Sequence, residues 1–340
     1  VILTPETAAN RRAIDQGGAG AGPQQAPFPW FGGKSRVADL VWSRFGDVPN
    51  YCEPFFGSGA VLLGRRGTPK IETINDLDGF VANFWRAVKT DPEAVAVAAD
   101  NPVNEADLHA RHMWLLKQRA DITSHLMGDP DYYDAKMAGW WVWGLCCWIG
   151  SGWCSGTGPW IEEDGRMVLG DAGQGINRQL PHLGNAGHGI NRKLPHLGDA
   201  GQGILDWMQR LADRLRRVRV CCGDWERICG PSVTTKRGIT GVFLDPPYSD
   251  DADRADGLYA SDSLTVAHSV RDWCLAHQDD PQMRIALCGY EGERELPGWE
   301  CVAWQAHGGF GSQGEQAGRA NKHRERIWFS PACLRGGRLL

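Results

Sequence analysis

Short apolar runs and helical stretches alternate along this chain. Residues 71–76, 218–222, 241–244, 283–288 and 326–329 have the length and side-chain content of strands. Another short strand is expected just before residue 57, followed at once by an apolar helix start. Helical patterns occupy 80–89, 107–119 and 131–143. Strands alternating with helices predict an α/β fold built on a doubly wound, mostly parallel sheet. Such sheets bind ligands outside the carboxyl ends of their strands. The residues that close each strand are therefore where chemistry is to be sought.

The run at 241–244 ends in Asp245-Pro246-Pro247-Tyr248. Prolines have no N–H donor, so the strand cannot continue as an ordinary central one. Asp245 and the Pro246 carbonyl offer two acceptors, and Tyr248 offers a stacking face. That corner suits a flat base with an exocyclic amino group, and two acceptors on one amino nitrogen polarise it toward an electrophile. Upstream, Phe55-Phe56-Gly57-Ser58-Gly59 carries two glycines that permit a tight turn and a close backbone approach. Leu62 stands where a dinucleotide fingerprint needs its third glycine, so the loop suits a nucleoside cofactor without phosphates. Asp76 follows Gly59 by 17 residues, a spacing at which an acid binds ribose hydroxyls. Asp78 fits the N-cap of the following helix.

The chain divides into four pieces. Residues 1–26 are rich in glycine, alanine and glutamine and form an expected flexible tail. Residues 27–92 form a first catalytic part, 93–216 an insert and 217–340 a second catalytic part. Within the insert a 14-residue repeat covers 170–204. Two and a half copies are too few for a solenoid to bury its own core, so extended loops against the body are expected. Asn177, Arg178, Asn191, Arg192 and Lys193 in the repeat have the chemistry to read base edges or phosphates.

Composition narrows this reading only slightly. With 36 basic and 41 acidic side chains, the net charge is −5. Any nucleic-acid surface must therefore be a local basic patch, for which 210–219 is one candidate. Eleven cysteines and no signal-peptide pattern lead us to expect a reducing, cytoplasmic setting. The cysteine doublets lack zinc-ligand spacing, and no metal is expected. The densest apolar stretch, 137–149, is too short and interrupted to span a bilayer.

Taken in order, these motifs resemble those of the Dam-type, α-group DNA adenine-N6 methyltransferases. Phe28-Pro-Trp-Phe-Gly-Gly-Lys34 resembles that family's N-terminal cofactor motif, which includes Trp30, Gly33 and Lys34. Glu53-Pro-Phe-Phe-Gly-Ser-Gly59 is similar to its S-adenosylmethionine loop, with Glu53, Pro54, Phe55, Gly57, Ser58 and Gly59 as cofactor residues. Asp76 resembles the ribose acid. Cys222-Gly-Asp-Trp225 resembles the segment beside the cofactor adenine, through Asp224 and Trp225. Asp245, Pro246, Pro247 and Tyr248 resemble the catalytic motif, with Asp245 also near the cofactor. Asn321-Lys-His-Arg-Glu-Arg-Ile-Trp328 resembles the closing strand. The resemblance covers roughly 27–92 and 217–330. It implies a class I, Rossmann-like catalytic domain and S-adenosylmethionine as cofactor. It also implies double-stranded DNA as partner and a target-recognition role for the insert. A monomer in a bacterial cytoplasm, with a restriction-linked or phage setting, is the expected context.

Two other classes fit the same strand-end corner. One is a methyltransferase acting on another planar amino or amide group, such as an RNA base or a protein glutamine. The other is a non-catalytic DNA-binding module of the same fold.

Overall fold

The computed structural model describes residues 23–30, 33–67, 70–148, 153–154, 160–163, 166–169, 203–247, 265–292, 296–304 and 324–335. Seven strands form one sheet: β1 (Asn50–Glu53), β2 (Ile71–Asp76), β5 (Val218–Cys222), β6 (Thr240–Leu244), β7 (Met283–Tyr290), β8 (Glu300–Ala303) and β9 (Glu325–Phe329). Their spatial order is β5-β2-β1-β6-β7-β9-β8. The pairs from β5 through β7 are parallel, and β9 runs antiparallel to both neighbours. The expected doubly wound, mostly parallel sheet is thus present, with one reversed strand near an edge. A separate antiparallel hairpin joins β3 (Trp160–Glu163) to β4 (Arg166–Leu169).

Both faces of the sheet are covered, as a parallel sheet requires. Side chains alternate across the strands. Tyr51, Ile74, Phe243, Ala286, Ile327 and Phe329 enter one buried cluster, while Cys52, Val242, Leu244, Ile285, Leu287 and Trp328 enter the other. The first face carries α1 (Ala38–Phe45) and α3 (Gly79–Thr90), through Val41, Phe45, Phe84 and Trp85. The short α2 (Ala60–Leu63) is wholly buried on that side. The second face carries α8 (Val266–His277), through Val270 and Cys274, and a 3-10 turn, Trp225–Ile228.

Asp78 accepts from the Phe80 N–H at 2.8 Å and caps α3, as the sequence predicts. Between β2 and β5 the chain forms α4 (Pro92–Ala99), α5 (Glu105–Gly128), α6 (Ala135–Cys147) and α7 (Ile204–Leu215). Of these, α5, α6 and α7 pack against α3, and α4 lies against α6 and α7. Close helix approach explains Gly139: a Cβ there would stand 2.4 Å from the Ala98 Cβ. The expected helix at 131–143 begins instead after Asp134, which accepts from the Met137 N–H and so fixes the start. No helix among the described residues is long and apolar enough to cross a membrane.

A buried ionic group ties α7 to β2. Glu72 is bridged by Arg65 at 3.0 Å and by Arg214 at 2.7 Å, and Arg214 also donates to the Leu62 carbonyl at 3.0 Å. Arg214 therefore leaves the candidate basic patch at 210–219, whereas Arg216 and Arg217 are exposed. The α7 amphipathic pattern explains the inward turn, because Leu211, Leu215 and Arg214 share its buried face.

Candidate active site

Chain order reverses between β1 and β6. From β1 the strands run outward through β2 and β5 on one side, and from β6 through β7 on the other. A crevice outside the carboxyl ends of strands forms at such a reversal. Glu53 closes β1 there, and Asp245 directly follows β6. The two strands pair from Asn50 opposite Thr240 to Cys52 opposite Val242, which brings both acids to the same edge. Glu53 is buried and accepts from the Tyr51 hydroxyl at 2.8 Å. Burial holds the Glu53 carboxyl well above the usual carboxylate range, and the Asp245 charge pushes it the same way. The Lys34 ammonium meets Asp245 Oδ2 at 2.8 Å. Pro246 is buried and Pro247 partly so.

The glycine loop leaves β1 beside this pair. Gly57 (φ +47°) and Gly59 (φ +68°) are both left-handed, the conformation that favours glycine. A Cβ on Gly57 would lie 2.3 Å from the Trp30 indole nitrogen, and one on Gly59 would lie 2.5 Å from the Phe56 ring. Trp30 thus lies directly against the loop, with Phe28 and Trp141 around it. The loop is pinned at Gly57, whose N–H donates to Asp76 Oδ2 at 2.9 Å and whose carbonyl accepts from Trp85 Nε1 at 2.8 Å. Asp76 also accepts from the Asp78 N–H through Oδ1 at 3.0 Å. Burial raises the Asp76 carboxyl to about 7, against the lowering effect of those backbone N–H groups.

The ends of β2 and β5 meet next to this loop. Asn75 donates to the Pro54 carbonyl at 3.1 Å and to the Gly223 carbonyl at 2.8 Å. Its Oδ1 is buried with no partner among the described residues. Phe55 and Trp225 stack at 6.1 Å with a 26° interplanar angle. Asp224 is exposed and accepts from the Glu226 N–H at 2.8 Å, which starts the 3-10 turn that places Trp225. Ser58 is buried in the loop, and the Gly33 N–H closes a turn on the Trp30 carbonyl at 3.1 Å.

The fold therefore gathers Trp30, Gly33, Lys34, Glu53, Pro54, Phe55, Gly57, Ser58, Gly59, Asp76, Asp224, Trp225, Asp245, Pro246 and Pro247 along one edge of the sheet. Tyr248 lies outside the described residues, as do Asn177, Arg178, Asn191, Arg192 and Lys193 and all but the last two positions of the 170–204 repeat. Sequence reasoning missed Tyr51, Trp85, Trp141 and Trp304. Only Tyr51 carried a signal, since it lies two residues before Glu53 and so shares its strand face. All eleven cysteines are free. Burial pushes Cys52, Cys147 and Cys222 up to about 12, so none of these three is poised as a thiolate nucleophile at neutral pH.

The residues fit a cationic nucleoside cofactor. Carboxyl groups at the ends of β1 and β2 and just after β6 line the edge, the buried Asn75 Oδ1 has no partner among the described residues, and Phe55 after β1 stacks on Trp225 after β5. Residues 30–120 match the family model of the D12 class N6 adenine-specific DNA methyltransferases. The matched stretch takes in Trp30, Lys34, the glycine loop and Asp76, and ends before Asp245. Together with the strand order, it bears out the expected Dam-type adenine methyltransferase with a Rossmann-like sheet. Adenine-specific methylation of DNA is the activity it supports. No curated protein matches the chain.

Proposed function

We propose that this chain, as a D12-class N6-adenine DNA methyltransferase, takes its methyl group from S-adenosylmethionine and delivers it to an adenine flipped out of double-stranded DNA. The observation that carries this reading is the position of Asp245 and Pro246 at the end of β6, across from Glu53 at the topological reversal. Gly57, Ser58 and Gly59 give the cofactor a close backbone approach, with Trp30, Gly33, Pro54 and Phe55 around them. Asp76 accepts from its ribose hydroxyls, and Asp224 and Trp225 bound its adenine. Glu53 offers an acid to its cationic end. The cofactor supplies a methyl group on a positively charged sulfur, already activated for transfer, so no metal is needed.

What the site must activate is the adenine nitrogen, whose lone pair is delocalised into the ring. Asp245 and the Pro246 carbonyl accept hydrogen bonds from its two N–H groups and favour a pyramidal, more nucleophilic nitrogen. That is stabilisation of developing charge by fixed acceptors. Pro247 fixes the turn that presents this carbonyl, and Tyr248 stacks on the flipped base. The insert 93–216 serves target recognition, with Asn177, Arg178, Asn191, Arg192 and Lys193 toward DNA. The enzyme acts as a monomer. Asp245→Ala tests the reading: transfer should fall about a hundredfold or more, while cofactor affinity stays within a few-fold. Near-normal turnover in that variant removes Asp245 from the mechanism.

A further inference from the structure

We infer that Lys34 is a positioning residue for Asp245, holding one carboxylate oxygen so that the other is presented to the target amino group. The inference rests on the catalytic reading of Asp245 and assigns Lys34 a task distinct from binding the cofactor.

Three elements fix the lysine. Its own carbonyl accepts from the Val37 N–H at 3.1 Å, just ahead of α1. Its ammonium meets Asp245 Oδ2 at 2.8 Å after β6, with only 6% and 16% of the two side chains exposed. The same ammonium lies 5.2 Å from the centre of the Trp304 ring, which follows β8 and is itself buried. The backbone at Trp304 is anchored by its main-chain N–H, which donates to the Glu325 carbonyl at 3.2 Å. So little exposure leaves the charge pair weakly screened, and the ring face adds attraction for the cation.

A carboxylate has two oxygens and no orientation of its own. Transfer needs one oxygen aimed at an N–H with the right geometry, and loss of about an ångström of placement costs orders of magnitude in rate. Lys34 on Oδ2 removes that freedom. It also places a positive charge directly against Asp245. A lysine serving the cofactor carboxylate makes a different demand, because its loss would weaken cofactor binding and spare the rate at saturation.

The test is a double-mutant cycle on the full chain with DNA and S-adenosylmethionine. Single-turnover transfer and calorimetric cofactor affinity are measured for Lys34→Met, Lys34→Arg, Asp245→Asn and the Lys34→Met/Asp245→Asn pair. Lys34→Met should slow transfer about tenfold or more with cofactor affinity within about threefold. Lys34→Arg should restore most of the rate, and the pair should be no slower than Asp245→Asn alone. Trp304→Leu keeps the charge and loosens its seat. It should give a smaller loss that also vanishes in the Asp245→Asn background, and it carries the test if Lys34→Met does not fold. Losses that multiply in the pair overturn the inference. So does a Lys34→Met enzyme with weakened cofactor binding and a normal saturated rate. In either case a slow Asp245→Asn enzyme leaves the catalytic reading standing. An Asp245→Asn enzyme with wild-type rate sinks both.

Discussion

Gly57→Ala puts one methyl group where the structure has no room for it. Two costs add. The backbone at φ +47° is left-handed, which costs an alanine about 1–2 kcal/mol. The new Cβ would stand 2.3 Å from Trp30 Nε1 and 2.8 Å from its Cδ1. Neither side yields freely. Gly57 is held by Asp76 and Trp85, and Trp30 is backed by Phe28 at 5.7 Å and Trp141 at 6.2 Å. Overpacking of this kind costs about 1–3 kcal/mol, so the whole loss should be about 2–5 kcal/mol. Urea denaturation of wild type, Gly57→Ala, Trp30→Ala and the double variant separates the two costs. Without the indole the alanine should cost only the backbone part, about 1–2 kcal/mol. Calorimetric titration should show weaker S-adenosylmethionine binding by Gly57→Ala, since the loop and Asp76 shift together. A Gly57→Ala protein within about 0.5 kcal/mol of wild type would refute the argument, as would an equal loss in both backgrounds.

Asp76 makes stability depend on pH. Its folded pKa, about 7, lies above the ordinary 3.8, so the folded state holds the proton more tightly between those values. The stability it contributes is full below pH 4 and is lost as pH rises through about 7. The gap between wild type and Asp76→Asn should move by about 2–4 kcal/mol against wild type from pH 4 to pH 8. His112 pulls the other way. It is buried and depressed to about 4, so its contribution is lost as pH falls from 6.5 toward 4, but it is common to both proteins and cancels. A pH-independent gap in denaturation experiments would count against this account. In the buried ionic group, Glu72→Ala takes the buried carboxylate from both arginines, leaving Arg65 only the exposed Asp47 at 3.6 Å, and should cost about 3–5 kcal/mol. Arg214→Met leaves Glu72 paired to Arg65 and should cost less; chemical denaturation showing the reverse order would contradict the charge count.

Local rules made much of this protein legible. A strand's period and a proline's missing N–H act within a few residues, so β5, β6, β7 and β9 and the corner at Asp245 could be read directly from the chain. Left-handed backbone is equally local, which is why Gly57 and Gly59 marked the loop, and Asp78 marked a helix start. Strand β8 gave no such signal. Glu300–Ala303 is an edge strand with little burial, and its sequence has no alternation to detect. Long-range partners were also beyond local pattern. Arg214 looked like part of a basic surface until α7 turned it onto Glu72, and Trp141 belongs to the insert yet reaches Trp30 beside the glycine loop. Lys34 shows the division most sharply. Its sequence context marked it as a residue of the site through the resemblance of Phe28–Lys34 to the family's cofactor motif, although a lysine after two glycines could equally face solvent. Its partner depended on how the start of α1, the end of β6 and the end of β8 converge, and on the need of a buried ammonium for the nearest available carboxylate. Chain proximity sets strands, turns and caps; only the assembled sheet sets which charges meet.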